Sequence, residues 1–501
     1  MGSADAWSTK PRVAPGMDRC CILPFPGASW KNLISGLKPA LPKGHYATQM
    51  VSVSAAPVCN PATPPAPAGV FTPAASVALG HASASVEIND WDRSGDHASS
   101  VSLFGWCVSR TGEPLGVEFH LQGILLASAP LHISRPDVVA ALDSPDTPLH
   151  CGFYLRLSKL VLPVGAALEV VMAEEREGGR VLVPLGILAG LPSPRIALGY
   201  AERHQPLLLL GLGRSGTTYA MRLIAGHPGI LVPGSHPYEM RPPVWLWHAA
   251  QVMSAPGADA SMHPDGFESR DADRLGYNPY RSRDWEDAAG PPAVVRWQEE
   301  GLPAAAIEFC KRQMDEFVQC CTAARRVPPR FVAQKMLVSL TRHFVRNIYP
   351  GARDVFLVRD FRDVWLSARS FNRKRGSASF GREGFACDLD WLRGLAFSTR
   401  QLRLAHLAAG PDALTLRYEE LMRDPAPALT RVLAGLGLDA APDLVRHLVA
   451  AAGAGDRDAE QHRTSEPGGD VERWRTEMTP EEMAAASDAF GEDLRYFGYD
   501  A

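Results

Sequence analysis

One segment constrains this chain more than any other: LLLLGLGRSGTTYAMRLIAGHP, residues 207–228. Four apolar residues end at Leu210, a glycine-rich turn follows, and Thr217 and Thr218 open an amphipathic stretch. A buried strand that turns through glycines into a helix N-terminus is an anion cradle, because the N–H groups of the loop and first helical turn converge on phosphate oxygens. Gly211, Gly213 and Gly216 permit positive φ and close approach of the backbone. Arg214 adds a permanent planar cation, and Ser215, Thr217 and Thr218 add hydroxyl donors. Aligned on GxxxxGK[ST], residues 211–218 read G-LGRS-G-T-T. Thr217 therefore stands where an ATP-hydrolysing loop needs its lysine, and the cation sits two residues before the last glycine instead.

The texture around this segment is α/β. A second short apolar run, Asp354–Val358, also leads through a polar turn into a helix-like stretch, and Gly229–Val232 reads as a third strand. Helical periodicity is expected over Thr218–Ala225, Ala304–Ala324, Leu337–Ile348, Arg362–Phe371, Leu389–Ala408 and Pro427–Gly435. Strand–loop–helix repetition predicts a parallel sheet flanked by helices, of the P-loop NTPase-like kind, over residues 196–501. Within it, residues of about 240–330, rich in Trp, Pro and Gly, fall where an acceptor-side insertion would sit. Most of its tryptophans, Trp245, Trp247, Trp285 and Trp297, are expected to pack in the core.

Residues 81–195 read as a small all-β domain, β-sandwich-like, preceding the α/β part. Alternating or β-branched runs recur at Ser85–Ile88, Val101–Val108, Val117–Leu121, Phe153–Leu157, Ala167–Met172 and Val181–Pro184, with one helix over Arg135–Leu142. Trp91 and Trp106 are expected as packing residues. Residues 1–80 are dominated by Ala, Pro, Ser and Val and are expected to be a flexible leader.

Charge excludes some partners. Lys and Arg total 51 against 55 Asp and Glu, a net −4, so nothing in the balance argues for nucleic acid or a membrane surface. Any anion must then be held by a local site. The nine cysteines show no metal-ligand spacing, which leaves reduced thiols in a cytoplasmic protein as the expectation and no metal site. Neither a signal peptide nor a transmembrane segment is read in the sequence.

Four blocks together resemble PAPS-dependent sulfotransferases of the bacterial type, where PAPS is 3′-phosphoadenosine 5′-phosphosulfate. They are the loop RSGTT (214–218), DVFLVRDFRDVWLSARSFNRKRG (354–376), LRYEELMRDP (416–425) and HRTSEPGGDVERWRTEMTPEE (462–482). The resemblance covers roughly the last 300 residues. It implies that Arg214, Ser215, Gly216, Thr217 and Thr218 bind the 5′-phosphosulfate end of PAPS. It also implies that Arg359 and Ser367, eight residues apart, bind the 3′-phosphate, and that Arg463, Arg473 or Arg475 belongs to a loop closing over the nucleotide. The family's GRWR-like segment reads ERWR here, without the glycine. FGWCVSR (104–110), RPDVVAAL (135–142) and CGFYLRL (151–157) loosely resemble a β module seen beside bacterial glycosyltransferases and sulfotransferases.

The implied reaction moves a sulfuryl group from PAPS to an acceptor hydroxyl or amine, on a carbohydrate as the first expectation, and releases adenosine 3′,5′-bisphosphate. An acceptor O–H needs a base, expected beyond the first helix, where GILVPGSHPYEMRP (229–242) supplies both Glu239 and His236. Glu239 is favoured over His236, with a plain pairing to Arg241 or another surface cation as its bland alternative. Lys335 stands where relatives place a lysine for the leaving group, or is an ordinary helix-start lysine, in which case Arg214 serves that role alone. Arg369, Arg373, Lys374 and Arg375 read as a solvated helix end. A small-molecule kinase and a catalytically inactive nucleotide-binding protein remain as alternatives. Oligomeric state is not legible.

Overall fold

The computed structural model describes residues 70–74, 82–88, 98–144, 146–177, 179–234, 237–239, 241–255, 292–411, 413–453 and 471–500. All of them lie in one compact unit, Gln49–Ala501.

The strand ahead of the glycine-rich turn is the centre of a five-stranded parallel sheet. We number strands along the chain, so that Gln205–Leu210 is β10, Ile230–Leu231 β11, Phe331–Met336 β12, Arg353–Val358 β13 and Leu414–Arg417 β14. Their spatial order is β11-β12-β10-β13-β14. Pro206 is tolerated in the central strand because the ladder to β13 begins only at Leu207, so the missing N–H breaks no bond on that side. Helices cover both faces, which is why Leu207–Leu210 are all buried rather than alternating.

The chain leaves β10 towards β11 and leaves β13 towards β14, in opposite directions across the sheet. The carboxyl ends of β10 and β13 therefore flank a topological switch point, where an open α/β sheet leaves a crevice for ligands.

The helices that matter to the site are Thr217–Ala225 after β10, Pro242–Ser254, Leu302–Thr322 before β12, Leu340–Ile348, Phe361–Arg375 after β13, Asp388–Ala409 and Pro480–Tyr496. Most lie where the periodicity places them. The expected helix over Leu337–Ile348 begins at Leu340, and the residues before it differ more seriously. Phe331–Met336 is a strand with every residue buried, and Lys335 pairs across it with Leu209. Gln334 and Lys335 interrupt the apolar run that marks a buried strand, so the pattern hides it. Lys335 is thus a strand residue, and its reading as a helix-start lysine is corrected.

Upstream lie two antiparallel sheets, one of order Val70–Pro73 (β1), Gly179–Ala189 (β9), Leu168–Arg176 (β8), Glu113–Leu121 (β4) and Ile124–Ala129 (β5), the other of order Ala82–Ile88 (β2), Ser100–Ser109 (β3), His150–Ser158 (β7) and Ile133–Ser134 (β6). Val101 and Leu103 of one, Phe119, Val170 and Met172 of the other, and Phe153 share one apolar cluster. The expected helix is present at Pro136–Leu142. Three strands were not foreseen, Ile124–Ala129, Val70–Pro73 and the two-residue Ile133–Ser134. The second falls inside the expected leader, yet it pairs antiparallel with Gly186–Ala189. Residues 1–69 of that leader lie outside the described residues. Trp106 is partly buried against Val108, Val138 and Cys151, while Trp91 is outside the described residues.

The sheets are fastened to the α/β part by one buried carboxylate. Glu299 sits in a π-helical turn, Trp297–Gly301, that leads into the helix before β12. It accepts from the backbone N–H groups of Ser99 and Ser100 at 3.1 Å each, from their hydroxyls at 3.1 and 2.8 Å, and from Arg156 Nη2 at 2.6 Å. Asn347 adds bonds to the carbonyls of Leu160 and Leu162. Removing one member of a buried, hydrogen-bonded pair strands the other charge, so Glu299→Ala is expected to cost roughly 3–5 kcal/mol. Urea unfolding of the variant, with midpoint and slope fitted together, checks this.

Candidate active site

At the switch point the two loops are tied to each other. Gly216 caps the first helix with φ 94°, and Arg214 also adopts a left-handed φ of 71°. For a residue with a Cβ that conformation costs roughly 1–2 kcal/mol, so the loop must be held from outside. Arg359, which follows β13, does this: its Nη1 donates to the carbonyl of Arg214 at 2.9 Å. Arg214 Nε in turn donates to Ser367 Oγ at 3.3 Å. The Arg359 guanidinium lies 4.2 Å from the Tyr418 ring centroid, and that of Arg214 lies 4.5 Å from Phe371. Arg359 and Ser367 are almost fully buried.

Glycine is required here by space as well as by φ. A Cβ on Gly216 would come within 2.5 Å of Tyr418 Cδ2, and one on Gly213 within 2.7 Å of Phe380 Cζ. Asn372 holds Phe380 in place by donating to its carbonyl at 3.1 Å and accepting from its N–H at 3.2 Å. Ser215 is buried, and its hydroxyl donates to the Leu212 carbonyl at 2.7 Å.

A second cluster lies on the other side of β10. Lys335 Nζ donates to Thr218 Oγ1 at 3.1 Å, to the Pro237 carbonyl at 2.7 Å and to Glu239 Oε1 at 2.7 Å. Burial pulls the Lys335 ammonium below the usual lysine range, with Glu239 opposing. Burial would raise the Glu239 carboxyl, but hydrogen bonds and charge from Lys335 and Arg241 outweigh it and hold the group below the usual carboxylate range. Arg241 reaches Glu239 Oε2 at 2.8 Å. Glu239 thus pairs with Arg241, as its bland sequence reading has it, and also with Lys335, which in turn meets Thr218.

The C-terminal block docks on the helix Phe361–Arg375. The Trp474 N–H donates to Asp363 Oδ1 at 2.9 Å, and the Arg362 guanidinium lies 3.5 Å from the Trp474 ring centroid. Arg473 donates to Glu477 at 2.7 and 2.9 Å and to Ser370 Oγ at 3.0 Å. Trp474 packs, as its sequence context suggests. Arg475 is exposed and stacks on the same ring, and Arg369 pairs with Glu482 at 2.6 Å. Arg373, Lys374 and Arg375 are exposed, with Arg375 over Phe371 at 5.0 Å. His236 and Arg463 lie outside the described residues.

The expected insertion supplies the helix Pro242–Ser254. Trp247 is its buried core residue, but Trp245 is 70% exposed and Trp297 is also exposed, which corrects their expected role as core packing. Trp285 lies outside the described residues. Sequence reasoning missed Tyr418, Phe371, Phe380 and Asp363. LRYEELMRDP did mark the right strand end, and aromatic residues beside paired arginines were the signal available for Tyr418.

Residues 206–443 match the model of the sulfotransferase family. The match covers just under half of the chain and marks this segment as similar to that family. Nodulation protein NoeE of Sinorhizobium fredii is 27% identical over 318 residues, which make up 57% of this chain. The chain spans 64% of that relative's length. Two solved structures also align. A sulfotransferase domain from the curacin biosynthetic pathway is 16% identical, with TM-score 0.33, covering 57% of this chain and 98% of its own. Sulfotransferase STF9 from Mycobacterium avium is 18% identical, with TM-score 0.32, covering 60% and 78%. Among the described residues no helix is long and apolar enough to cross a membrane.

Asp363 gives the site a measurable pH signature. Burial lifts its carboxyl from the ordinary 3.8 to about 6, against the pull of Arg359 and the Trp474 N–H. The folded state therefore holds a proton between those values that the unfolded chain releases, and this group's stabilising share is lost as pH rises through 6. Asp363→Asn keeps an acceptor for the Trp474 N–H but has no proton to lose. Its stability relative to wild type is expected to improve from pH 5 to pH 8, as read from urea midpoints at each pH.

Proposed function

We propose that this protein is a PAPS-dependent sulfotransferase, moving a sulfuryl group to an acceptor hydroxyl or amine, with a small molecule or a glycan as the acceptor. The observation that carries this reading is the convergence of Arg214, Arg359 and Ser367 at the switch point, with Lys335 and Thr218 across β10. Apart from Glu239, these groups present cations, hydroxyls and a helix N-terminus, a set suited to phosphate and sulfate oxygens.

Arg359 and Ser367 would hold the 3′-phosphate. The loop Ser215–Thr218 would take the 5′-phosphosulfate end, in a P-loop-type cradle. When bound, PAPS supplies a sulfuryl group whose bond to sulfur forms at the acceptor oxygen as the bond to the 5′-phosphate breaks. The residues of this chain do the rest by position and charge. Lys335 and Arg214 stabilise the negative charge gathering on the leaving phosphate, and Glu239 receives the acceptor proton. His236 and Arg463 keep the roles that their sequence context implies, as second candidate base and as a closing-loop cation.

We read the upstream antiparallel sheets as a β-sandwich-like accessory module of residues 81–195. Its loose resemblance to companions of glycan enzymes favours a carbohydrate acceptor. Free thiols at Cys107, Cys151, Cys310, Cys320, Cys321 and Cys387 accord with a reducing, cytoplasmic setting.

Calorimetric titration with adenosine 3′,5′-bisphosphate, beside ATP with magnesium, tests the donor. Selective binding of the bisphosphate without magnesium is expected. Preference for ATP with magnesium would favour a kinase, and binding without turnover of PAPS across an acceptor screen would favour an inactive nucleotide-binding protein. Arg359→Ala removes a charge-assisted contact and is expected to weaken bisphosphate binding by about 1.5–3 kcal/mol, or roughly 10- to 150-fold in Kd.

A further inference from the structure

An ammonium has three N–H donors, and in Lys335 all three are taken. Thr218 Oγ1, the Pro237 carbonyl and Glu239 Oε1 accept them at 3.1, 2.7 and 2.7 Å. Lys335 therefore cannot donate to a bound anion without giving up one partner. The three partners are not equally easy to release. The Pro237 carbonyl is fixed in the main chain. Thr218 stands in the first turn of the helix after β10 and can turn its own hydroxyl towards the same anion. Glu239 is the exposed one, with its side chain at 55% of full accessibility, and it has a second cation, Arg241, to receive it at 2.8 Å.

We infer that donor binding exchanges the Lys335–Glu239 ion pair for a contact between Lys335 and the 5′-phosphate end of the donor, and that this exchange frees Glu239 to act as base. The inference rests on the donor reading above. Its consequence is an order: donor first, acceptor second. While Lys335 and Arg241 both hold the carboxylate, Glu239 is a weak base. Once Lys335 turns to the donor, one of the two interactions lowering its proton affinity is gone, and the base strengthens only when a nucleotide 5′-phosphate end occupies the site. Lys335 thus serves in turn as the lock on Glu239 and as a ligand of the leaving group.

The exchange predicts an effect that a merely structural ion pair would not give. In Glu239→Gln the competitor for Lys335 is weakened, so adenosine 3′,5′-bisphosphate, which carries the same 5′-phosphate, should bind more tightly while turnover of PAPS falls. Exposed ion pairs are worth about 0.2–1 kcal/mol, which corresponds to tightening of roughly 1.5- to 5-fold. The tightening should disappear in a Lys335→Met background, because the gain is routed through that ammonium. Calorimetric titration of wild type, the two single variants and the double variant reads this directly, without any turnover. Equal or weaker bisphosphate binding by Glu239→Gln overturns the exchange while leaving the donor reading intact. Tightening that persists without Lys335 overturns it as well. Failure of the wild type to bind the bisphosphate at all overturns the donor reading itself, so the two failures are told apart.

Discussion

The bond from Arg359 to the carbonyl of Arg214 is the contact on which the site depends. It spans the carboxyl ends of two adjacent parallel strands, at the point where the chain's connections diverge across the sheet. It also compensates for a local cost. Arg214 occupies a left-handed conformation that an L-residue adopts only when its surroundings enforce it, and the enforcing group is itself a cation of the site. Tyr418, beneath Arg359, would collide with any side chain at position 216, so the glycine, the strained arginine and the tyrosine are one packing solution. Such a loop is already shaped before any ligand arrives, which lowers the ordering cost of binding an anion there.

Sequence made this centre legible because its requirements are local. Glycines at fixed offsets, a cation two residues before the last of them, and an Arg and a Ser eight residues apart after a strand can all be read along the chain. What could not be read is what the sheet brings together from afar. Lys335 is the clearest case. Thr217 occupies the position where a nucleotide-hydrolysing loop carries its lysine, and the chain seemed to lack one. The lysine that meets Thr218 comes from the neighbouring strand, in register with Leu209. A strand containing Gln and Lys does not show the apolar run of a buried strand, so its identity was hidden by the residue that reaches Thr218. The fastening of the upstream sheets was equally illegible, because Glu299 and Ser99 are 200 positions apart. Val70–Pro73 is a short strand in proline-rich surroundings, and it exists only because β9 offers it an edge.

The C-terminal block shows how the site is buttressed. Residues 472–475 contact the same helix that carries Ser367, through Asp363 and Arg362 at its first turn and Ser370 two turns later. Asp363 is buried near Arg359, so its charge is felt by the cation that grips the Arg214 loop. The ERWR segment is therefore tied electrostatically to the Arg214 loop.

Placing cations on three different strands or loops also divides the work. Arg214 and Arg359 are neighbours locked into one geometry by a backbone carbonyl and an aromatic ring each, as suits groups whose task is to hold a fixed charge in place. Lys335 presents its ammonium, on a four-carbon stem, to partners that include an exposed carboxylate. A guanidinium in that position would bind Glu239 with a rigid fork and resist giving it up. An ammonium can pivot between acceptors of similar strength at small cost, and that is the property the proposed exchange at Lys335 calls for.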